Sequence, residues 1–249
     1  MRALLAFFTV LPVTAPGSSS LEDAARRAYL LPFIGLLTGL PGAALLMLAF
    51  VMPSEVAATF AFGAVLLAAG LHHTDGVMDL GDALMVRGSR ERRREVLKDT
   101  RIGVGAIAAL FLVYAPTLTA LAALTYASPP GAALLLITGE VAARSAMLLL
   151  LVLGRPAEES SSSSYFVRPL KAGWRRVVAI VIALTLPPLV ALPLGPVVLL
   201  AALVVPAATA LLALALSDRA FGGISGDVAG ATGELARVVL LVALSGLLF

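Results

Sequence analysis

Three aspartates, Asp75, Asp79 and Asp82, stand at i, i+4 and i+7 in the segment LHHTDGVMDLGDALMV, residues 71–86. On an α-helix those offsets put all three carboxylates on one face, within an arc of roughly 60°. Carboxylates held that close repel one another, and a hard divalent cation such as Mg²⁺ relieves the repulsion. Mg²⁺ sites usually combine one or two carboxylates with the phosphates of a substrate. The next residues turn basic, with Arg87, Arg90, Arg92, Arg93, Arg94, Lys98 and Arg101, and Asp99 sits among them as a fourth candidate carboxylate. A metal-binding face beside a cationic run suits a substrate that carries phosphates. The alternative, a solvated helix face, would mix charge signs instead of repeating one.

His73 lies two residues before Asp75, with His72 before it. A lone histidine is more often a satisfied structural residue, but beside this cluster it is a candidate base on a hydroxyl nucleophile, or an orienter of a carboxylate. A second acidic pair, Asp227 and Glu234, lies in the glycine-rich stretch FGGISGDVAGATGELAR, residues 221–237, which reads as a polar loop. Were it helical, the spacing of seven would again align both acids on one face. Glu140 and Arg144 fall inside a long apolar run at i, i+4. Such a pair is either an internal ion pair of a helix bundle or an arginine reaching into a substrate cavity.

The elements that must position these groups are membrane helices. Of 249 residues, 60% are hydrophobic and 13% charged, against about 25% charged in ordinary globular domains. The mean hydropathy is +1.00. There is no cysteine, hence no disulfide or thiolate metal site, and a formal charge of +3 is too small to argue for nucleic acid. The apolar start, residues 1–13, is short and lacks a clear cleavage pattern, so it does not read as a signal peptide.

Crossing about 30 Å of hydrocarbon takes about 20 apolar residues in a helix. Seven runs qualify, near 30–52, 55–71, 102–126, 131–153, 176–192, 197–216 and 235–249. The fifth is interrupted by Pro187-Pro188, and the last competes with a re-entrant or interfacial placement. The expected fold is all-α, a polytopic membrane helix bundle of about seven (six to eight) spans forming one domain over 1–249. An interfacial amphipathic helix is expected over about 18–29, capped by Ser18–Ser20 with Glu22 and Asp23 in its first turn. Glycines 35, 39 and 42 predict a helix that others approach closely. Of eighteen Lys and Arg, all but Arg144 fall in four polar segments: the N-terminus, 74–101, 154–176 and 218–237. That asymmetry is the positive-inside pattern, which puts those segments and the aspartate face on the cytoplasmic side of a cell membrane.

The residues also carry a resemblance. HTDGVMDLGD followed by LKDTRIGVG resembles the signature of the cobalamin synthase family, the adenosylcobinamide-GDP ribazoletransferases. His73, Asp75, Gly76, Asp79, Asp82, Asp99, Arg101, Ile102, Gly103 and Gly105 match it. FFTVLPV near the start, LPFIGLLTG at 31–39, the arginine at 144 and GGISGDVAGATGE at 222–234 resemble family segments in the same order. The resemblance implies joining of adenosylcobinamide-GDP to α-ribazole, or its 5′-phosphate, with release of GMP, as a late step of cobalamin biosynthesis. It implies Mg²⁺ held by Asp75, Asp79 and Asp82, with Asp99 and Asp227 as additional ligands. Arg94, Lys98 and Arg101 would bind phosphate, Arg144 and Glu234 would belong to the substrate site, and His73 would be the base. The lipid bilayer is the one macromolecular partner implied, with a homo-oligomer left open. Two other classes stay in view. A CDP-alcohol phosphotransferase would need Ala-Arg after Asp75-Gly76, where Val77-Met78-Asp79 stands; a cation-coupled transporter would keep its acids at mid-span, where only Glu140 lies.

Overall fold

The computed structural model describes residues 1–13, 20–158, 162–171 and 173–248. Ser18 and Ser19 of the expected cap lie outside the described residues. Twelve α-helices make up the described chain: α1 Arg2–Phe8, α2 Ser20–Arg26, α3 Leu31–Leu46, α4 Ser54–Ala69, α5 His72–Met85, α6 Arg90–Val96, α7 Val104–Ala127, α8 Pro129–Leu153, α9 Ser162–Leu170, α10 Gly173–Ala191, α11 Pro196–Ala220 and α12 Gly226–Leu248. No strand occurs among the described residues, and one isolated bridge pairs Pro156 with Ile224. The all-α expectation holds.

Among the described residues six helical stretches are long and apolar enough to cross a membrane, α3 being one of them together with the 3-10 turns that extend it to Ala28–Phe50, and the bent pair α4–α5 makes a seventh candidate. The second expected span is where sequence and structure part. α4 has 16 residues, about 24 Å at roughly 1.5 Å per residue, short of about 30 Å. Gly70 then ends it in the left-handed conformation at φ +77°, and Leu71 follows at φ +61°. The chain turns by 93° and α5 begins. A leucine at positive φ costs on the order of 1 kcal/mol or more, so the packing around α5 must hold the bend in place. The last apolar run differs in the other direction. Its helix starts at Gly226, nine residues before the expected 235, and reaches full span length, so the broken segment lies at Gly70-Leu71 and not at the C-terminus. Pro187 and Pro188 do not interrupt α10, which runs through both.

α8 is the central post, buried along nearly its whole length. Helices α3, α10, α11 and α12 pack around it. Close approach needs small residues: a Cβ on Gly35 of α3 would come within 2.7 Å of the Val141 Cα, and one on Gly42 within 2.7 Å of the Ala61 carbonyl. The outer surface carries exposed Phe60, Phe111, Leu112, Leu200 and Leu212, the pattern of a bundle whose solvent is lipid.

All four polar segments gather at one end of the bundle. The Val10 backbone N–H donates to the Ala68 carbonyl at 3.1 Å, tying the N-terminus to the end of α4. Lys98 pairs with Glu158 at 2.8 Å, Arg155 with Asp218 at 3.6 Å, and Arg90 Nε donates to the Arg219 carbonyl at 3.1 Å. Ala157 and Ile224 complete the junction, with the Ala157 N–H donating to Ile224 O at 3.0 Å. Glycine is required there: Gly223 sits at φ +159°, and a Cβ on it would lie 2.7 Å from the Ala157 nitrogen.

Candidate active site

The aspartate triplet lies on a helix, as its spacing predicts. α5 carries His73, Asp75, Asp79 and Asp82, and it packs against α7 and the start of α12. Glycines set how near these helices come. A Cβ on Gly76 would meet the Asp227 backbone carbonyl at 2.7 Å, one on Gly230 would lie 3.1 Å from the His73 Cα, and one on Gly81 would collide with the Gly105 carbonyl. These contacts explain physically why glycines accompany the acids. They bring Asp227, in the first turn of α12, beside α5. Ser225 caps that helix, accepting the Val228 N–H at 3.2 Å while its hydroxyl donates to Asp227 Oδ2 at 3.2 Å. Asp79 feels the charges of Asp75, Asp227 and Asp82, so four carboxylates share one neighbourhood.

They do not share one role. Both oxygens of Asp82 face backbone N–H groups at the start of α7: Oδ2 accepts from Gly103 at 2.7 Å and Oδ1 from Ala106 at 2.9 Å. Asp82 thus caps a membrane helix from another element, and Gly103 leaves room for it. Asp99 is turned toward Arg101, which bonds it at 2.7 Å and holds its carboxyl down to about 2. Arg101 itself is exposed. Among the described residues no three His, Asp or Glu side chains converge closely enough to hold a metal unaided. The donor set nevertheless fits Mg²⁺. It is all oxygen, it gathers uncompensated negative charge from Asp75, Asp79 and Asp227, and Mg²⁺ commonly completes its shell with water and substrate phosphate.

Two cavities adjoin this acidic cluster, and both include Gly226 and Asp227. One, of about 120 Å³, is lined by Arg94, Lys98, Glu158 and Ser225. Arg94 reaches it while bonding Glu91 at 3.1 Å and the Ala157 carbonyl at 3.4 Å, and its Nε has no partner. Lys98 draws the Glu158 carboxyl below its usual range. The other, of about 520 Å³, is lined by His72, His73 and Asp75 at one side and by Phe7, Phe8 and Phe166 at the other. His73 is 7% exposed, and its Nδ1 has no hydrogen-bond partner.

Arg144 and Glu234 line neither cavity. They belong to an ionic network buried between α3, α8 and α12. Arg237 donates to Glu140 Oε1 at 2.6 Å and also pairs with Glu234; Thr38 donates to Glu140 Oε2 at 2.9 Å; Arg144 stands 3.5 Å from the same oxygen. Two glutamates and two arginines balance in charge, which is what burial demands. Tyr114 stands close to Glu234 and shares a 2.7 Å hydrogen bond with Thr74, linking this network to the first turn of α5. Arg237 is the residue the sequence reading misplaced, among the basic residues of a polar loop. It is 1% exposed, lies in α12, and its guanidinium sits 4.9 Å from the Phe62 ring. The signal was available: Glu234 and Arg237 at i, i+3, heading an apolar run, parallel Glu140 and Arg144.

Comparison with known proteins adds the family. A family model described as cobalamin-5-phosphate synthase matches residues 1–245. A protein of Methanocella arvoryzae named adenosylcobinamide-GDP ribazoletransferase is 31% identical over 264 residues, covering 100% of this chain and 96% of its own. One of the same name from Halorubrum lacusprofundi is 36% identical over 250 residues, covering 97% and 94%. A third, from Saccharolobus islandicus, is 42% identical over 113 residues, covering 45% and 44%. No solved structure matches the chain.

Proposed function

The chain belongs to the cobalamin-5-phosphate synthase family, and from that premise we propose that it is a membrane-embedded, Mg²⁺-dependent adenosylcobinamide-GDP ribazoletransferase of cobalamin biosynthesis, working at the cytoplasmic face of the cell membrane. Its substrates are adenosylcobinamide-GDP and α-ribazole or its 5′-phosphate. Its products are adenosylcobalamin, or the 5′-phosphate, and GMP.

The observation that carries the mechanism is the shared acidic residue: Asp227 borders both a cavity lined by Arg94 and Lys98 and one lined by His72 and His73. Arg94 and Lys98 would hold the diphosphate of the donor. His73 and Asp75 would receive the ribose hydroxyl of the acceptor. That hydroxyl oxygen attacks the phosphorus bonded to the corrinoid side chain. A new P–O bond to ribose forms, the P–O bond of the anhydride breaks, and GMP departs with the electron pair. His73, which lines that cavity, is the candidate acceptor for the hydroxyl proton. Asp75, Asp79 and Asp227 would hold Mg²⁺, which when bound neutralises the diphosphate and stabilises the leaving phosphate. Asp82 and the glycine contacts fix α5 against α7 and α12, so the carboxylates arrive preorganised.

The test is direct. Purified protein in liposomes, given Mg²⁺, adenosylcobinamide-GDP and α-ribazole, releases GMP in step with a product joined through a phosphodiester. No GMP release under these conditions would overturn the assignment.

A further inference from the structure

We propose that the aromatic side of the larger cavity is the subsite for the planar base of the acceptor nucleoside, with Phe8 and Phe166 as its stacking surfaces. This deepens the transferase reading and rests on it. Phe8 is 7% exposed and Phe166 5%, so neither ring is spent on lipid. Their centroids stand 5.7 Å apart at 64°, and Phe7 adds a third ring 5.2 Å from Phe166. These rings come from two short helices far apart in sequence, α1 and α9, that meet at the mouth of the cavity rather than crossing the bundle.

The size and polarity suit such a guest. A volume of about 520 Å³ lies within the span of small-molecule sites, roughly 300–1,000 Å³. Beside the rings the wall is Ala6, Ala69 and Leu151, and its hydroxyl, Ser163 Oγ, already donates to the Ile224 carbonyl at 3.1 Å. A base rich in amide and amino groups would leave them unpaired there, whereas a largely apolar bicyclic ring would not. The reacting end is correctly placed as well. The Phe8 ring centroid is 6.4 Å from that of His73. A base on Phe8 would bring its attached ribose toward His73 and Asp75, which line the same cavity. The smaller cavity lined by Arg94, Lys98 and Asp227, at about 120 Å³, has room for phosphate and not for a nucleoside. Phe8 and Phe166 thus act in binding and positioning the acceptor, not in the chemical step.

The measurement is a pair of KM values on purified protein in liposomes, for α-ribazole and for adenosylcobinamide-GDP, in Phe8→Ala, Phe166→Ala and Phe8→Leu. Phe8→Leu keeps the space filled while removing the aromatic face, and unfolding midpoints establish that each variant is intact. Expected is a rise of roughly tenfold in KM for α-ribazole in either alanine variant, an intermediate rise for Phe8→Leu, and a KM for adenosylcobinamide-GDP within twofold of wild type. An unchanged α-ribazole KM in the intact variants overturns the proposal. So does a rise confined to the donor, which would assign the rings to guanine. Absence of turnover in the wild type would instead overturn the transferase reading itself, and the two failures are distinct.

Discussion

Asp82 accepts a hydrogen bond of 2.7 Å from the backbone N–H of Gly103, 21 residues later and on the next long helix. The same carboxylate takes the Ala106 N–H at 2.9 Å. One member of the aspartate triplet therefore fastens the start of α7, while Asp75 lines the larger cavity.

That division separates the acids experimentally. Asp82→Ala leaves two N–H groups without partners and is expected to lower stability by about 1–3 kcal/mol, together with turnover. Asp79→Asn removes a like charge from beside Asp75 and Asp227, so it is expected to hold or raise the unfolding midpoint in the absence of divalent cation while abolishing turnover. Thermal unfolding in detergent, run beside the GMP assay, checks both. A stable, inactive Asp82→Ala would place Asp82 with the cavity carboxylates instead.

The interior network makes a stability prediction. Arg237→Met leaves Glu140 and Glu234 facing each other in a buried site, at an expected cost of about 3–5 kcal/mol. Arg237→Met combined with Glu234→Gln should recover part of that loss. A double-mutant cycle on unfolding midpoints reads the coupling between them.

Glycine packing sets the position of α5. Gly81→Ala puts a methyl group against the Gly105 carbonyl and is expected to cost about 1–3 kcal/mol from overpacking, with a larger loss of kcat than of stability. Gly63→Ala, on α4 with open space around its Cβ, is the control and should leave both unchanged. Equal effects of the two substitutions would remove close helix approach as the cause.

Magnesium should stabilise the folded protein before any substrate is added. Binding at about 100 times the dissociation constant adds about 2.7 kcal/mol. The expected rise in unfolding midpoint with Mg²⁺ should vanish when Asp75 and Asp79 are both changed to Asn. A rise that persists in that double variant would place the ion elsewhere.

Much of this architecture was legible in the sequence. Long apolar runs gave most of the spans, because lipid tolerates few other structures, and the aspartate spacing gave the helical face of α5. Other features depend on tertiary contact. The 93° bend at Gly70-Leu71 was hidden because a leucine at positive φ carries no local signal. Arg237 looked like an anchor beside a glycine-rich loop, yet those glycines begin a helix that carries it inward to Glu140. Asp82 matched its neighbours in type and spacing, and only the position of Gly103 distinguishes it. Phe7 and Phe8 read only as part of a short apolar start, and the contact with Phe166 of α9 depends on the fold.

The most direct test of the central claim is GMP release by the Asp79→Asn protein, compared with wild type, in liposomes supplied with Mg²⁺, adenosylcobinamide-GDP and α-ribazole. Expected is wild-type release that stops on chelation of Mg²⁺, and release below one hundredth of that rate from a folded Asp79→Asn. Undiminished release from the variant, or from wild type with Mg²⁺ chelated, would contradict a magnesium-bearing aspartate face as the site of transfer.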